Sequence, residues 1–183
     1  MKWLSPRISP NHTALAMIGA KAGERVLVMG RHAEHLAAEL ALSTGLNGRT
    51  LVVDAATDAR TRVEAAAEAA GALVEFDVAP ASTLPLESGS FDAVVLHRQL
   101  SDASGGAILD VTREARRVLR PGGRLIAIEP GMPRGPLSRW LAGRPDLQPE
   151  QVMDVLTRAG FGAVRRLADT EGVMYVEALN PRR

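Results

Sequence analysis

Residues 24–54 read ERVLVMGRHAEHLAAELALSTGLNGRTLVVD, and their pattern decides the fold. Val26, Leu27, Val28 and Met29 form a short continuous apolar run that ends in Gly30. Such a run suits a strand buried on both faces of a parallel sheet. Leu36, Ala37 and Leu40 then recur at helical spacing. Glu34 stands in the first turn, where the helix dipole favours an anion. Gly45, Asn47 and Gly48 break the helix. Leu51, Val52 and Val53 make a second apolar strand, closed by Asp54. The unit is strand, loop, helix, strand, with an acid at the tip of the second strand. In nucleoside-binding sheets that carboxylate accepts hydrogen bonds from ribose hydroxyls. The competing reading of Asp54 is a helix cap or a solvated turn residue.

The same alternation runs outward from this unit. Upstream, Pro6 and Pro10 keep the first residues extended, and Asn11 or Thr13 can cap a short helix over residues 14–20. Downstream, the pattern predicts a helix over about 58–70, with cap chemistry from Thr57 and Asp58 and a stop at Gly71. A third strand is expected over 73–76, ending at Asp77, and a fourth over 93–96, leaving into His97 and Arg98. A helix follows over about 107–119. Pro121, Gly122 and Gly123 then turn into a fifth strand over 124–128. Strands alternating with helices call for an open parallel sheet covered on both faces. The end of the chain departs from that rule. A helix begins at Pro149, and GFGAVRRLA, a polar turn at 169–172 and VMYVEAL read as a β-hairpin.

KAGERVLVMG followed by VVDA resembles the start of a class I S-adenosylmethionine-dependent methyltransferase. LPLESGSFDAVVLHRQL resembles that family's fourth-strand motif, EARRVLRPGGRLIAIEP its fifth-strand entry, and PEQVMDVLTRAGF the helix before strand six. The three later matches stand in the family's order, and they most resemble the ubiquinone and menaquinone biosynthesis branch. The resemblance implies a doubly wound, seven-stranded α/β sheet of order 3-2-1-4-5-7-6 with strand 7 antiparallel. It implies a single domain over 1–183, with an N-terminal segment and helix over 1–20 and a short lid-like insertion over 131–148.

The chain has 183 residues, enough to bury a core, and a formal net charge of +1. That balance argues against a field that draws in nucleic acid, and the arginines between Arg113 and Arg120 read as a solvated helix face. With no cysteine, disulfides, thiolate metal sites and thiol catalysis are excluded, and no metal site is expected. No stretch is long enough to cross a bilayer, and MKWLSPRISPNH lacks the apolar core of a signal peptide. The expected setting is cytoplasmic, with a small-molecule substrate, no nucleic acid, no membrane, and a homodimer or protein partner as an open possibility.

The resemblance also implies a site. The cofactor, S-adenosylmethionine, would lie on Gly30, Arg31 and His32, with Asp54 at its ribose. Asp77 and the backbone of Val78 would meet its adenine. His97 is the candidate general base and Arg98 the candidate grip on an acidic substrate group. For each, the plain alternative is a solvated loop residue. Glu129 either orients substrate or pairs with an arginine. Trp140, in the insertion, and Trp3 are candidate covers. The family writes its first loop as an acid followed by G-x-G-x-G. Here Val28 stands for the acid, Gly30 survives, and His32 and Glu34 replace the other glycines. The expectation is weak or lost cofactor binding, which keeps a non-enzymatic binding or scaffolding subunit as the alternative function.

Overall fold

The computed structural model describes residues 11–103, 106–131, 147–170 and 172–182. In chain order the elements are α1 (His12–Ile18), β1 (Arg25–Met29), α2 (Glu34–Thr44), β2 (Arg49–Asp54), α3 (Ala59–Ala70), β3 (Glu75–Val78) and β4 (Phe91–His97). They continue with α4 (Gln99–Asp102), α5 (Ala107–Val118), β5 (Leu119–Pro130), α6 (Pro149–Arg158), β6 (Gly162–Thr170) and β7 (Val173–Leu179). The seven strands form one sheet of order β3-β2-β1-β4-β5-β7-β6. β1 pairs in parallel with β2 and β4, while β7 runs antiparallel to both β5 and β6. This is the order and the strand direction expected from the sequence.

The continuous apolar runs are explained by a core on each face of the sheet. Leu27 and Met29 of β1 point to one side, where Val111, Ala115 and Val118 of α5 and Val152 and Leu156 of α6 cover them. Val26 and Val28 point to the other, against Ala14 and Ile18 of α1, Leu36, Ala37 and Leu40 of α2, and Val63 of α3. All four β1 residues are fully buried, so a polar side chain on either face would lose its water without replacement. The side chain of Arg124 ties the start of β5 to the end of α1. It donates to the carbonyls of Ile18 and Gly19 and to both carboxylate oxygens of Glu24, the shorter at 2.6 Å.

Several local expectations are corrected. The third strand begins at Glu75 rather than Leu73, because Leu51 of β2 pairs with Glu75 and Leu73 lies outside the ladder, 77% exposed. Neither Asn11 nor Asp58 caps its helix through its side chain. Asn11 instead donates to Glu39 at 2.8 Å, and Asp58 pairs with Arg62 one turn on. The short helix α4 was not anticipated. Trp3, Trp140 and nearly all of the lid-like insertion lie outside the described residues. Among those described, no helix is long and apolar enough to cross a membrane.

Candidate functional site

Ligands of open α/β sheets bind beyond the carboxyl ends of the strands, and a cavity of about 500 Å³ opens there. Arg31 and His32 of the loop after β1 line it, with His97 and Arg98 at the exit of β4, Glu129 near the end of β5, and Tyr175 of β7. Asn11 and Ala14 bring α1 to its edge. The structure thus gathers five of the sequence-predicted residues, Arg31, His32, His97, Arg98 and Glu129. Gly30 lies behind them, and Asp54, Asp77 and Val78 sit on the neighbouring strands beyond the cavity wall.

Gly30 has φ +121° and passes so near β4 that an added Cβ would lie 2.0 Å from the carbonyl oxygen of His97. Only a residue without Cβ allows β1 and β4 this approach. Two residues on, His32 holds φ +55°, a left-handed conformation that glycine ordinarily supplies. The loop therefore keeps a glycine-like bend without the glycine, and the imidazole of His32 is exposed. Val28, in place of the family's acid, is fully buried in the core beneath α2 and offers nothing to a ligand.

Nδ1 of His97 lies 2.9 Å from the carbonyl oxygen of Arg31. A carbonyl only accepts, so Nδ1 carries the proton and Nε2 keeps its lone pair. Burial lowers the imidazole pKa from its ordinary value. The hydrogen bond to Arg31 opposes that shift, and the charge of Arg98 adds to it. The ring is accordingly neutral near pH 7, the form a general base needs. Arg98 also sits left-handed, at φ +55°. Its amide donates to the carbonyl of Ile128 at 2.8 Å, and its carbonyl accepts from Asp102. Among the described residues its guanidinium has no hydrogen-bond or ion-pair partner and projects exposed at the cavity wall.

Among the described residues Glu129 pairs with no arginine, and it does not face open solvent. It is 1% exposed and accepts from the amides of Leu100 and Ser101, at 2.9 and 3.0 Å, and from the Ser101 hydroxyl. It closes the first turn of α4, and burial raises its pKa against the pull of those donors. Arg31 and Arg98 bring two fixed positive charges to the lining, against the carboxylates of Asp102 and the buried Glu129. Asp54 is 8% exposed, and its Oδ1 accepts from the amide of Ala56 at 2.9 Å. Asp54 thus accepts from the turn after β2 but is buried rather than solvated. An ionised carboxylate retains further lone pairs for a ligand.

The description "Methyltransferase domain" matches residues 28–127, more than half of the chain. The chain belongs to this methyltransferase family. Among the relatives of this chain, an uncharacterised 37.1 kDa protein of transposon TN4556 from Streptomyces fradiae is 34% identical over 116 residues. That match covers 63% of this chain but only 33% of the relative, so the chain spans about a third of that protein's length. The demethylmenaquinone methyltransferase of Beutenbergia cavernae is 29% identical, with 88% of this chain and 71% of that protein covered. In fold, the chain resembles a SAM-dependent methyltransferase from Aquifex aeolicus, with a TM-score of 0.78 at 20% identity, covering 93% of this chain and 89% of the other. Asn11 and Tyr175 are cavity residues that the sequence reading missed. Each lies far along the chain from the motifs, and only the fold brings them there.

Proposed function

We propose that the protein transfers a methyl group from S-adenosylmethionine to a small molecule that carries an anionic group. The observation that carries this reading is the cavity at the carboxyl ends of β1, β4 and β5, with a neutral His97 on one wall and an Arg98 that has no partner among the described residues. The residues present fit the cofactor. The left-handed bend at His32 keeps the loop open to it. Arg31 and His32 would attract its carboxylate. Asp54 has lone pairs left for its ribose hydroxyls, and Asp77 and the backbone of Val78 would meet the adenine. When bound, it supplies an electrophilic methyl on a sulfonium.

The chain's own residues would do three things. Arg98 would hold the acidic group of the acceptor as a charge-assisted pair. The cavity would align the acceptor's nucleophilic atom with the methyl carbon and exclude water. Nε2 of His97 would take the proton from that atom as its lone pair forms the new bond to the methyl carbon. The cofactor's sulfur would keep the electron pair of the carbon–sulfur bond that is given up. The Beutenbergia relative is named for demethylmenaquinone. For this chain the proposal stops at the chemical class. A single domain over 1–183, a lid over 131–148, a cytoplasmic setting and a homodimer or protein partner belong to the same proposal, and the sequence reading supports them.

Calorimetric titration with S-adenosylmethionine and with S-adenosylhomocysteine tests the reading. Saturable heat with both is expected. No heat with either, at high protein concentration, would overturn it in favour of a non-enzymatic binding subunit.

A further inference from the structure

The opposite end of the sheet holds a second cavity of about 500 Å³. Arg113, Arg116 and Arg117 of α5 line it, with Ser88 of the loop before β4, Ala159 after α6, and Asn180 after β7. The three arginines are spaced as neighbours on one helix face, but their engagements differ. Arg117 is fully committed. It binds Glu114 through Nε and one terminal nitrogen, the carbonyls of Leu84 and Leu86, and the hydroxyl of Ser88. Among the described residues Arg113 has only a long ion pair to Asp110, at 3.9 Å.

Arg116 has no ion pair and no hydrogen bond among the described residues, and its Nε is removed from solvent without a partner. Its guanidinium packs on Gly160, where an added Cβ would lie 2.8 Å from NH1. A role in offsetting the helix dipole asks only for a charge in the last turn, and a solvated arginine provides it. It does not account for a guanidinium half-buried beside a cavity, whose terminal nitrogens have no partner among the described residues.

We infer that this cavity binds a phosphate group, held by the forks of Arg113 and Arg116 with the Ser88 hydroxyl as a further donor. A group with several oxygens accepts from planar forks that approach along different directions. The committed Arg117–Glu114 pair fixes the helix face that presents them. The site lies away from the methyl-transfer cavity, so its ligand, a phosphorylated small molecule, binds independently of the acceptor.

Inorganic phosphate is the probe. The full chain is titrated with it against sodium chloride at matched ionic strength. Melting temperature and amide chemical shifts are followed. The expected result is saturable stabilisation specific to phosphate, with shifts at Ser88, Gly89, Ala159 and Gly160. Arg116→Gln and Arg113→Gln should each weaken the apparent affinity by roughly tenfold or more. Arg113 is largely exposed, so its variant keeps the test valid if Arg116→Gln folds poorly. Arg60→Gln on α3 serves as a distant control and should leave the affinity unchanged. Equal effects of chloride and phosphate, or phosphate binding that survives both substitutions, would overturn the inference.

Discussion

Replacing Gly30 by alanine tests why the one surviving loop glycine is there. The added methyl would stand 2.0 Å from the carbonyl oxygen of His97, against an ordinary carbon–oxygen approach of about 3.3 Å or more. The obstacle is backbone, so no rotamer change relieves it and β1 and β4 must separate. Overpacking of this kind costs about 1–3 kcal/mol. The φ of +121° adds about 1–3 kcal/mol for a residue with a Cβ. The expected loss is therefore about 2–6 kcal/mol, or roughly 5–20 °C in melting temperature for a chain of this size. Urea and thermal denaturation without any ligand would measure it. A variant that melts within about 2 °C of the parent would refute the reasoning and leave Gly30 only a ligand-facing role.

Four other outcomes follow from the same geometry. The folded pKa of His97 lies below its unfolded value of about 6.5, so the unfolded chain takes up that proton first as pH falls. Stability from this group is present above about pH 6.5 and is lost toward the lower folded value. His97→Gln should remove that part of the pH dependence in urea denaturation, and with it the acid limb of kcat/KM. Asp54→Ala should weaken S-adenosylmethionine binding roughly tenfold to a hundredfold by calorimetry, and unchanged affinity would reduce Asp54 to a turn residue. Arg124→Ala strands Glu24, whose side chain is 14% exposed, and should cost about 2–4 kcal/mol in denaturation, somewhat less than for a fully buried pair. His32→Gly should change cofactor affinity less than about threefold, a shift of under 1 kcal/mol, and a gain of tenfold or more would show that the imidazole blocks the site.

The fold was legible where one residue type repeats over several positions. The β1 run and the α2 spacing each report a local period, and periodicity survives without knowledge of partners. The β3 boundary slipped because Leu73 and Val74 extend the apolar run, while the ladder with β2 decides where pairing starts. Helix α4 was invisible for a related reason. Its four residues carry no period, and its first turn is closed by Glu129, a side chain from another strand. Sequence placed Glu129 at the correct strand end but could not tell which partner would meet it.

Within the site, the loop after β1 shows where counting residue types misleads. The loss of two glycines implies a lost bend, because glycine is the residue that adopts positive φ without strain. The bend persists because it is held from outside the loop. β4 presses on Gly30, and His97 fastens the Arg31 carbonyl at 2.9 Å. A histidine at φ +55° costs about 1–2 kcal/mol relative to glycine, a strain that two such external restraints can sustain. The same restraints join the loop to the β4 exit, so the cofactor side and the acceptor side of the proposed reaction share one hydrogen bond. A ligand that orders Arg31 would therefore also hold the His97 ring.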